Sequence, residues 1–508
     1  MFASIPSAVL IGAVGQTITV EVHVDRGLPG FNIVGLPDES IRESRDRVRA
    51  AVMSSGHDWP RQRVTIGLAP SQERKTGSGL DLAIAVGVLV ATGVLQKDAV
   101  AGLAFIGELG LDGSIRPVRG VAPMVGTLGD VDVVVPVASA AEAHVAALGK
   151  VHLVRRLTEL VDVLGEVQAP WPDHEPPVRV LPPVNEPDMS EVHGQPFARL
   201  GLEIAAAGGH HCLFVGPPGS GKTMLASRLP GLLPPLDRDR ALEATMIHSA
   251  AGVPLPPDGL LERPPFRAPH HTSSMVSVIG GGSAHPRPGD VSLAHCGVLF
   301  MDEIAEFPAA ILDSLRQPLE EGVVRVGRAK VNVDLPADFI LVAAMNPCPC
   351  GGGGGPGDCL CADAALQRYA RRLSGPIIDR FDLRVGVTRP GIDELLATEP
   401  NEPTAVVAAR VAEARRMAHE RQGALNRAIR VRDLDDVAPL DADARSALRR
   451  ELESDRLSGR GYHRIRRVAR TIADLRGAGD GNVTERDVAL ALELRTGLRR
   501  SFRAGRAA

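Results

Sequence analysis

Residues 212–223 leave this chain little structural freedom. An apolar run, Cys212 to Val215, leads into Gly216-Pro217-Pro218-Gly219-Ser220-Gly221-Lys222-Thr223. The pattern G-x-x-x-x-G-K-[ST] between a strand and a helix has a physical reason. Glycines let the backbone wrap a chain of phosphates, so that amide N–H groups and a helix N-terminus point at negative oxygens. Lys222 brings a mobile positive charge to the terminal phosphates, and Thr223 brings a hydroxyl for magnesium. Only five of the 57 basic residues are lysines (Lys75, Lys97, Lys150, Lys222 and Lys330), so a chance lysine at this position is rare. The alternative reading of the octapeptide is a Gly-rich turn before a helix.

Two further strand ends complement it. Gly297-Val298-Leu299-Phe300-Met301-Asp302-Glu303 is an apolar strand closing on two acids. Asp302 suits a magnesium ion held through water, and Glu303 suits polarising an attacking water. Taken alone, the segment also reads as a strand leaving into solvent. Residues 339–345 form another apolar strand and end at Asn346. Arg380, in Asp379-Arg380-Phe381-Asp382, follows a predicted helix. It suits either a neighbour's γ-phosphate or a surface ion pair with Asp379 or Asp382.

The 508 residues divide on composition. Residues 1–168 mix strands (17–24, 63–68, 103–106, 131–135, 151–154) with a polar helix over 38–53 and an all-apolar helix over 80–95. Residues 169–190 are a Pro-rich linker. A second α/β domain spans 191–399, and 404–508 reads as wholly helical. Ile465, Val468, Ala469, Ile472 and Leu475 share one helix face, and Thr484 with Asp487 makes a capping box. The helical segment holds 23 Arg against 15 Asp and Glu, a net of +8 within a chain of net −4. Such arginines suit either a solvated face or salt-sensitive contacts to nucleic-acid phosphates. Aromatic residues make up 3%, which argues against base stacking as the main grip on single strands. The longest apolar run, 82–95, is too short to span a bilayer. No export signal is expected at the N-terminus, so the expected compartment is a reducing cytoplasm.

Four of the six cysteines, Cys348, Cys350, Cys359 and Cys361, lie within fourteen residues around a Gly-rich stretch. Four thiolates suit zinc, although C-x-C pairs are tighter chelates than the usual C-x2-C. Buried small cysteines or a redox-labile loop are the alternatives. His270 and His271 are candidates for DNA contact or for simple packing.

These residues, in this order, resemble AAA+ ATPases of the magnesium-chelatase-like branch. Phe266-Arg267-Ala268-Pro269-His270-His271-Thr272, Pro286-Arg287-Pro288-Gly289-Asp290-Val291-Ser292-Leu293-Ala294-His295, Asn346-Pro347-Cys348-Pro349-Cys350 and Ser374-Gly375-Pro376-Ile377-Ile378-Asp379-Arg380-Phe381-Asp382 resemble the ComM/YifB family more narrowly. The resemblance implies a homohexameric ring with ATP and Mg2+ bound between subunits, and a helix-2 insertion near 264–282 directed toward the pore. It implies Asn346 as sensor 1, Arg380 as an arginine finger acting in trans, and Arg464 as the sensor 2 arginine of a C-terminal lid, with Arg466 and Arg467 close by. It further implies a DNA helicase driving branch migration in homologous recombination of incoming DNA. A magnesium-chelatase motor subunit and a non-enzymatic ATP-dependent scaffold are the rival readings.

The first 168 residues resemble the Lon-protease-type fold (ribosomal S5 domain 2-like), through Gly77-Ser78-Gly79-Leu80-Asp81 and Gly107-Glu108-Leu109-Gly110. Gly79 and Ala122 occupy the positions expected for the catalytic serine and lysine of that fold. A nucleophile without a positioned base is only a hydroxyl, so peptidase activity is not expected.

Overall fold

The computed structural model describes residues 1–70, 75, 77–165, 167–175, 187–282, 286–328, 331–351, 359, 361–372, 375–396 and 401–504. Half of the linker expected at 169–190, residues 176–186, therefore lies outside the described residues.

The N-terminal part begins with a long antiparallel pair, β1 (Phe2–Ile11) and β2 (Val14–Asp25). With β3 (Gly30–Val34) and β4 (Arg63–Ala69) they make a four-stranded sheet in the order β1-β2-β4-β3. Alternation fixes which face is inward: Ile18, Val20, Val22 and Val24 are buried while their neighbours point out. Helix α1 (Glu39–Ser54) starts where Asp38 accepts a hydrogen bond from the Ile41 N–H at 2.9 Å. Helix α2 (Asp81–Ala91) is buried on every side, as the apolar run after Asp81 requires. It lies against β1 and β2, and Gly87 permits the approach, since a Cβ there would fall 2.4 Å from Val22 Cγ2. A parallel three-stranded sheet follows, β5 (Leu103–Phe105), β6 (Asp132–Pro136) and β7 (Val151–Val154), with α3 (Val121–Gly126) packed nearby.

The central part is an α/β layer structure. Helix α4 (Pro196–Gly208) leads to β8 (Cys212–Val215), α5 (Lys222–Ala226), α6 (Arg238–Ala251), β9 (Phe266–Arg267) and β10 (Val298–Met301). A hairpin of β11 (Val323–Arg328) and β12 (Val331–Pro336) precedes β13 (Ile340–Met345), and β14 (Leu383–Gly386) closes the sheet. The five sheet strands run parallel in the order β9-β10-β13-β8-β14. Strands covered on both faces carry continuous apolar runs, and all four residues of β8 and of β10 are buried. Parallel strands also bring their C-terminal ends to one edge, where open α/β sheets bind ligands.

The segment near 264–282, expected to be an insertion, contains β9, a helical turn Met275–Ile279 and the strand Gly280–Gly281, which pairs with Arg287–Pro288. The C-terminal part is helical: α7 (Asp363–Arg372) and α8 (Gly375–Arg380) flank the sheet, and α9 (Thr404–Gln422), α10 (Ala442–Glu453), α11 (Gly459–Leu475) and α12 (Glu485–Ala504) follow. Ile465, Val468, Ala469 and Ile472 face inward, and Thr484 and Asp487 exchange the expected capping bonds. Arg470, on the same helix, is fully buried against Asp474 at 2.8 Å, and Arg421 reaches that carboxylate from α9.

The N-terminal part docks on the central one through two seams. Ser249, on α6, accepts the Gly120 N–H at its backbone oxygen (3.1 Å) and donates its hydroxyl to Glu142 (2.7 Å). The turn between β1 and β2 rests on the hairpin, where Gly12 abuts Val333.

Candidate functional site

The loop between β8 and α5 is shaped by its glycines. Gly219 and Gly221 have φ of +74° and +87°, in the left-handed region. A Cβ at Gly216 would fall 2.1 Å from the Val387 carbonyl oxygen. Lys222 folds back across the loop, its Nζ donating to the Gly216 and Pro217 oxygens at 2.8 and 2.9 Å and to Asn346 Oδ1 at 3.2 Å. Burial pulls its ammonium below the ordinary lysine value, and Asp302 and Glu303 oppose that shift. Asn346 thus meets the loop because β13 lies between β8 and β10.

Thr223 Oγ1 donates to Asp302 Oδ2 at 2.7 Å. A hydroxyl and a carboxylate in mutual contact beside a lysine are the donor set that hard, oxygen-preferring Mg2+ takes in phosphate sites. The residues present therefore fit magnesium. Glu303 follows in the left-handed conformation at φ +48°, its N–H donating to Asp302 Oδ1 at 2.9 Å. A non-glycine residue held there is strained, as is common where a side chain is aimed for function.

His271 Nδ1 lies 3.7 Å from Glu303 Oε2, and its ring contacts Phe307 edge-on. His270 packs against the His271 ring at 4.1 Å and meets Thr272 Oγ1 at 2.8 Å. The histidine pair thus stands at the acidic strand end, where it packs; from sequence it was open between DNA contact and simple packing. Two other loop contacts escaped the sequence reading. Gln195, buried at φ +58° just before α4, donates from Nε2 to the Ser220 oxygen at 2.5 Å. Arg389 reaches the Pro218 oxygen from the segment after β14 at 3.3 Å. A Gln-Pro step opening a helix was a visible signal for the first; nothing in the sequence marks the second.

Arg380 and Arg464 are not brought to this loop by any hydrogen bond among the described residues. Arg380 pairs with Glu320 at 2.5 Å, in place of the Asp379 or Asp382 partner considered from sequence. Arg464 donates to Asp382 Oδ1 at 2.6 Å and to the Arg380 carbonyl at 3.1 Å. Arg466 is consumed inside the helical part by Asp435, Leu434 and Ala438, and Arg467 donates to Ile429. Asp382 is fully buried. Burial alone would raise its carboxyl, but the His210 hydrogen bond and the Arg464 charge hold it well below the ordinary value.

The thiols of Cys348, Cys350, Cys359 and Cys361 all lie within 4.8 Å of one another. In the N-terminal part, Gly79 and Ala122 carry neither nucleophile nor base. The Ser78 hydroxyl donates to the Glu108 carboxylate, and Lys75 Nζ donates to the Pro70 oxygen.

Residues 188–395 match the family of magnesium chelatase, subunit ChlI; residues 20–139 match subunit ChlI of Mg-chelatase, and 401–495 match the ChlI C-terminal family. The chain is 42% identical over 513 residues to an uncharacterized protein of Mycobacterium tuberculosis, covering 97% of this chain and 99% of that one. It is 38% identical over 482 residues to the competence protein ComM of Haemophilus influenzae, covering 94% of each. It is 39% identical over 467 residues to the uncharacterized protein YifB of Escherichia coli, covering 92% of each. With such identity sustained along nearly the whole of both chains, and the phosphate-loop and acidic-strand geometry in place, this protein belongs to the ComM/YifB family of magnesium-chelatase-like AAA+ proteins.

Proposed function

We propose that this protein is a cytoplasmic ATP hydrolase that works as a homohexameric ring on branched or single-stranded DNA, in recombination or in the processing of incoming DNA. The observation that carries the reading is the convergence of Lys222, Thr223, Asp302, Glu303 and Asn346 at the C-terminal edge of one parallel sheet. ATP lies along the loop, with Lys222 leaving its carbonyl partners for the terminal phosphates. Thr223 and Asp302 would hold magnesium, which would supply positive charge to the phosphate oxygens. Glu303 orients the attacking water and accepts its proton, and Asn346 fixes the water or the γ-phosphate. Arg380 of one subunit serves its neighbour's site by exchanging Glu320 for phosphate. Arg464 is the sensor 2 arginine; Arg466 is less suited because both its terminal nitrogens are used within the helices.

In this reading residues 1–168 form a Lon-type domain without peptidase chemistry, 191–399 the AAA+ core and 404–508 the lid, joined by the linker at 169–190. The N-terminal domain shapes the ring or touches DNA, and the segment near 264–282 reaches the pore. His271, beside Glu303, links that segment to the hydrolytic site. The DNA assignment draws on the relative named a competence protein, and a chelatase motor subunit is the rival that the family matches favour.

The test is ATP turnover by the purified protein with and without forked DNA, joined to branch migration of a three-stranded junction. Glu303→Gln should retain ATP and lower turnover by at least ~100-fold, the usual worth of a positioned base. Persistent turnover removes Glu303 from the role. ATP turnover that ignores DNA and rises with chelatase partner subunits decides for the rival.

A further inference from the structure

We infer that Cys348, Cys350, Cys359 and Cys361 are the complete ligand set of a structural zinc ion that braces the nucleotide site. The first half of this inference stands on the cysteines alone; the second rests on the ATP reading given above.

Four thiolates on Zn2+ at about 2.3 Å, placed tetrahedrally, stand about 3.8 Å from one another. Here Cys350 Sγ is 3.8 Å from Cys359 Sγ and 3.3 Å from Cys348 Sγ, and the four atoms all fall within 4.8 Å. A disulfide needs about 2.05 Å, well short of the 3.3 and 3.8 Å between these sulfurs. Shifts of less than about 1 Å complete a tetrahedron. Four protein thiols leave no open position for substrate, which marks a structural site and not a catalytic one. Zinc enters as the dication, and the thiol protons pass to solvent as the Zn–S bonds form.

The sequence explains why such a clasp is needed. Gly351 to Gly355 is a run of five glycines, the costliest residues to order and without side chains to bury. Apolar packing has no side chains to work with there. A C-x-C pair flanks that run on either side in the sequence.

What the clasp holds is the nucleotide site. Cys348 lies two residues beyond Asn346, the acceptor of Lys222. Gly351, at φ +73°, sits directly on the phosphate loop, where a Cβ would fall 2.7 Å from Pro218 Cγ. On the other side, Cys361 leads straight into α7. Tyr369 of that helix donates its hydroxyl to the Asn346 carbonyl at 3.1 Å, and Arg372 pairs with Glu306, just past the acidic strand end, at 2.5 Å. The four ligands therefore tie the end of β13, the phosphate loop and α7 into one unit.

The experiment uses the full-length protein purified with reducing agent and zinc in the medium. Elemental analysis should give about one zinc per chain, and the double variant Cys359→Ser/Cys361→Ser less than about a tenth of that. Cobalt(II) added to stripped wild-type protein should give thiolate charge-transfer and tetrahedral d–d absorption, a readout independent of the variant's folding and of any ATPase activity. Removing the metal from wild-type protein should weaken binding of a fluorescent ATP analogue by at least ~10-fold, reversed on zinc addition. Zinc below about 0.2 per chain, no cobalt–thiolate bands, or a Cys348–Cys350 disulfide in anaerobically purified protein overturns the metal site. Zinc bound but nucleotide affinity unchanged within about twofold on its removal overturns the brace alone. Loaded protein that binds no nucleotide at all overturns the ATP reading and leaves the metal site standing.

Discussion

At the scale of single residues, the decisive groups differ in how far away their partners lie in sequence. Lys222 and Thr223 are legible because their chemistry is set by the seven residues before them. The Arg380–Glu320 pair joins residues sixty apart through tertiary packing, and no local pattern announces it. The most consequential such residue is Asp382, whose buried carboxylate meets His210 at 3.3 Å and Arg464 at 2.6 Å. Because its native pKa lies well below 3.8, this carboxylate stabilises the fold fully above that value. The contribution fades only as pH falls further, through the native pKa. Asp382→Asn should therefore cost about 3 kcal/mol near neutral pH, by leaving Arg464 without its counter-charge. The loss should shrink as pH falls below 3.8, where the unfolded wild-type chain takes up the proton before the native one does. Urea denaturation of both proteins across that range measures it; equal stability at pH 7 contradicts the assigned role.

At the scale of elements, the long periodic segments were legible and the short, composite ones were not. Strand β2 satisfies its period of two without ambiguity, and α2 is marked by an apolar run too long for a strand. The β11–β12 hairpin went unread although Val324, Val326, Val331, Val333 and Leu335 alternate. Its strands are half-polar and lie outside the parallel sheet, so the continuous apolar runs of that sheet hide them. Arg470 shows the opposite failure: an arginine on a helix reads as solvated until Asp474, one turn on, is seen to be buried with it. The hairpin supports the N-terminal part through Val333, which would lie 2.3 Å from a Cβ at Gly12, where φ is +65°. Gly12→Val should accordingly destabilise that seam by about 2 kcal/mol, combining backbone strain with overpacking. Hydrogen exchange of 323–336 should quicken in the variant; unchanged protection would mean the turn bears no load.

At the scale of the whole molecule, the proposed ring makes each site the property of two subunits. Arg380→Ala should lower ATP turnover on the order of 10³-fold with nucleotide binding retained, while Lys222→Ala should abolish binding. Mixed in equal amounts, the two inactive variants should recover about a quarter of wild-type turnover. That is the share of random interfaces pairing an intact loop with an intact neighbouring arginine. No recovery on mixing, with rings formed, would place Arg380 outside the neighbour's site. The sequence carried the family's order of parts along nearly the full chain, but not the contacts between parts, because those are made by single side chains such as Ser249 and Val333.

The strap around Arg380 has a mechanical corollary. Arg464 on α11 grips the Arg380 carbonyl and Arg495 on α12 grips the next one, Phe381, at 2.6 Å. Two guanidinium groups thus yoke this arginine to the C-terminal helices, so that any tilt of those helices swings Arg380 as a crank swings with its shaft.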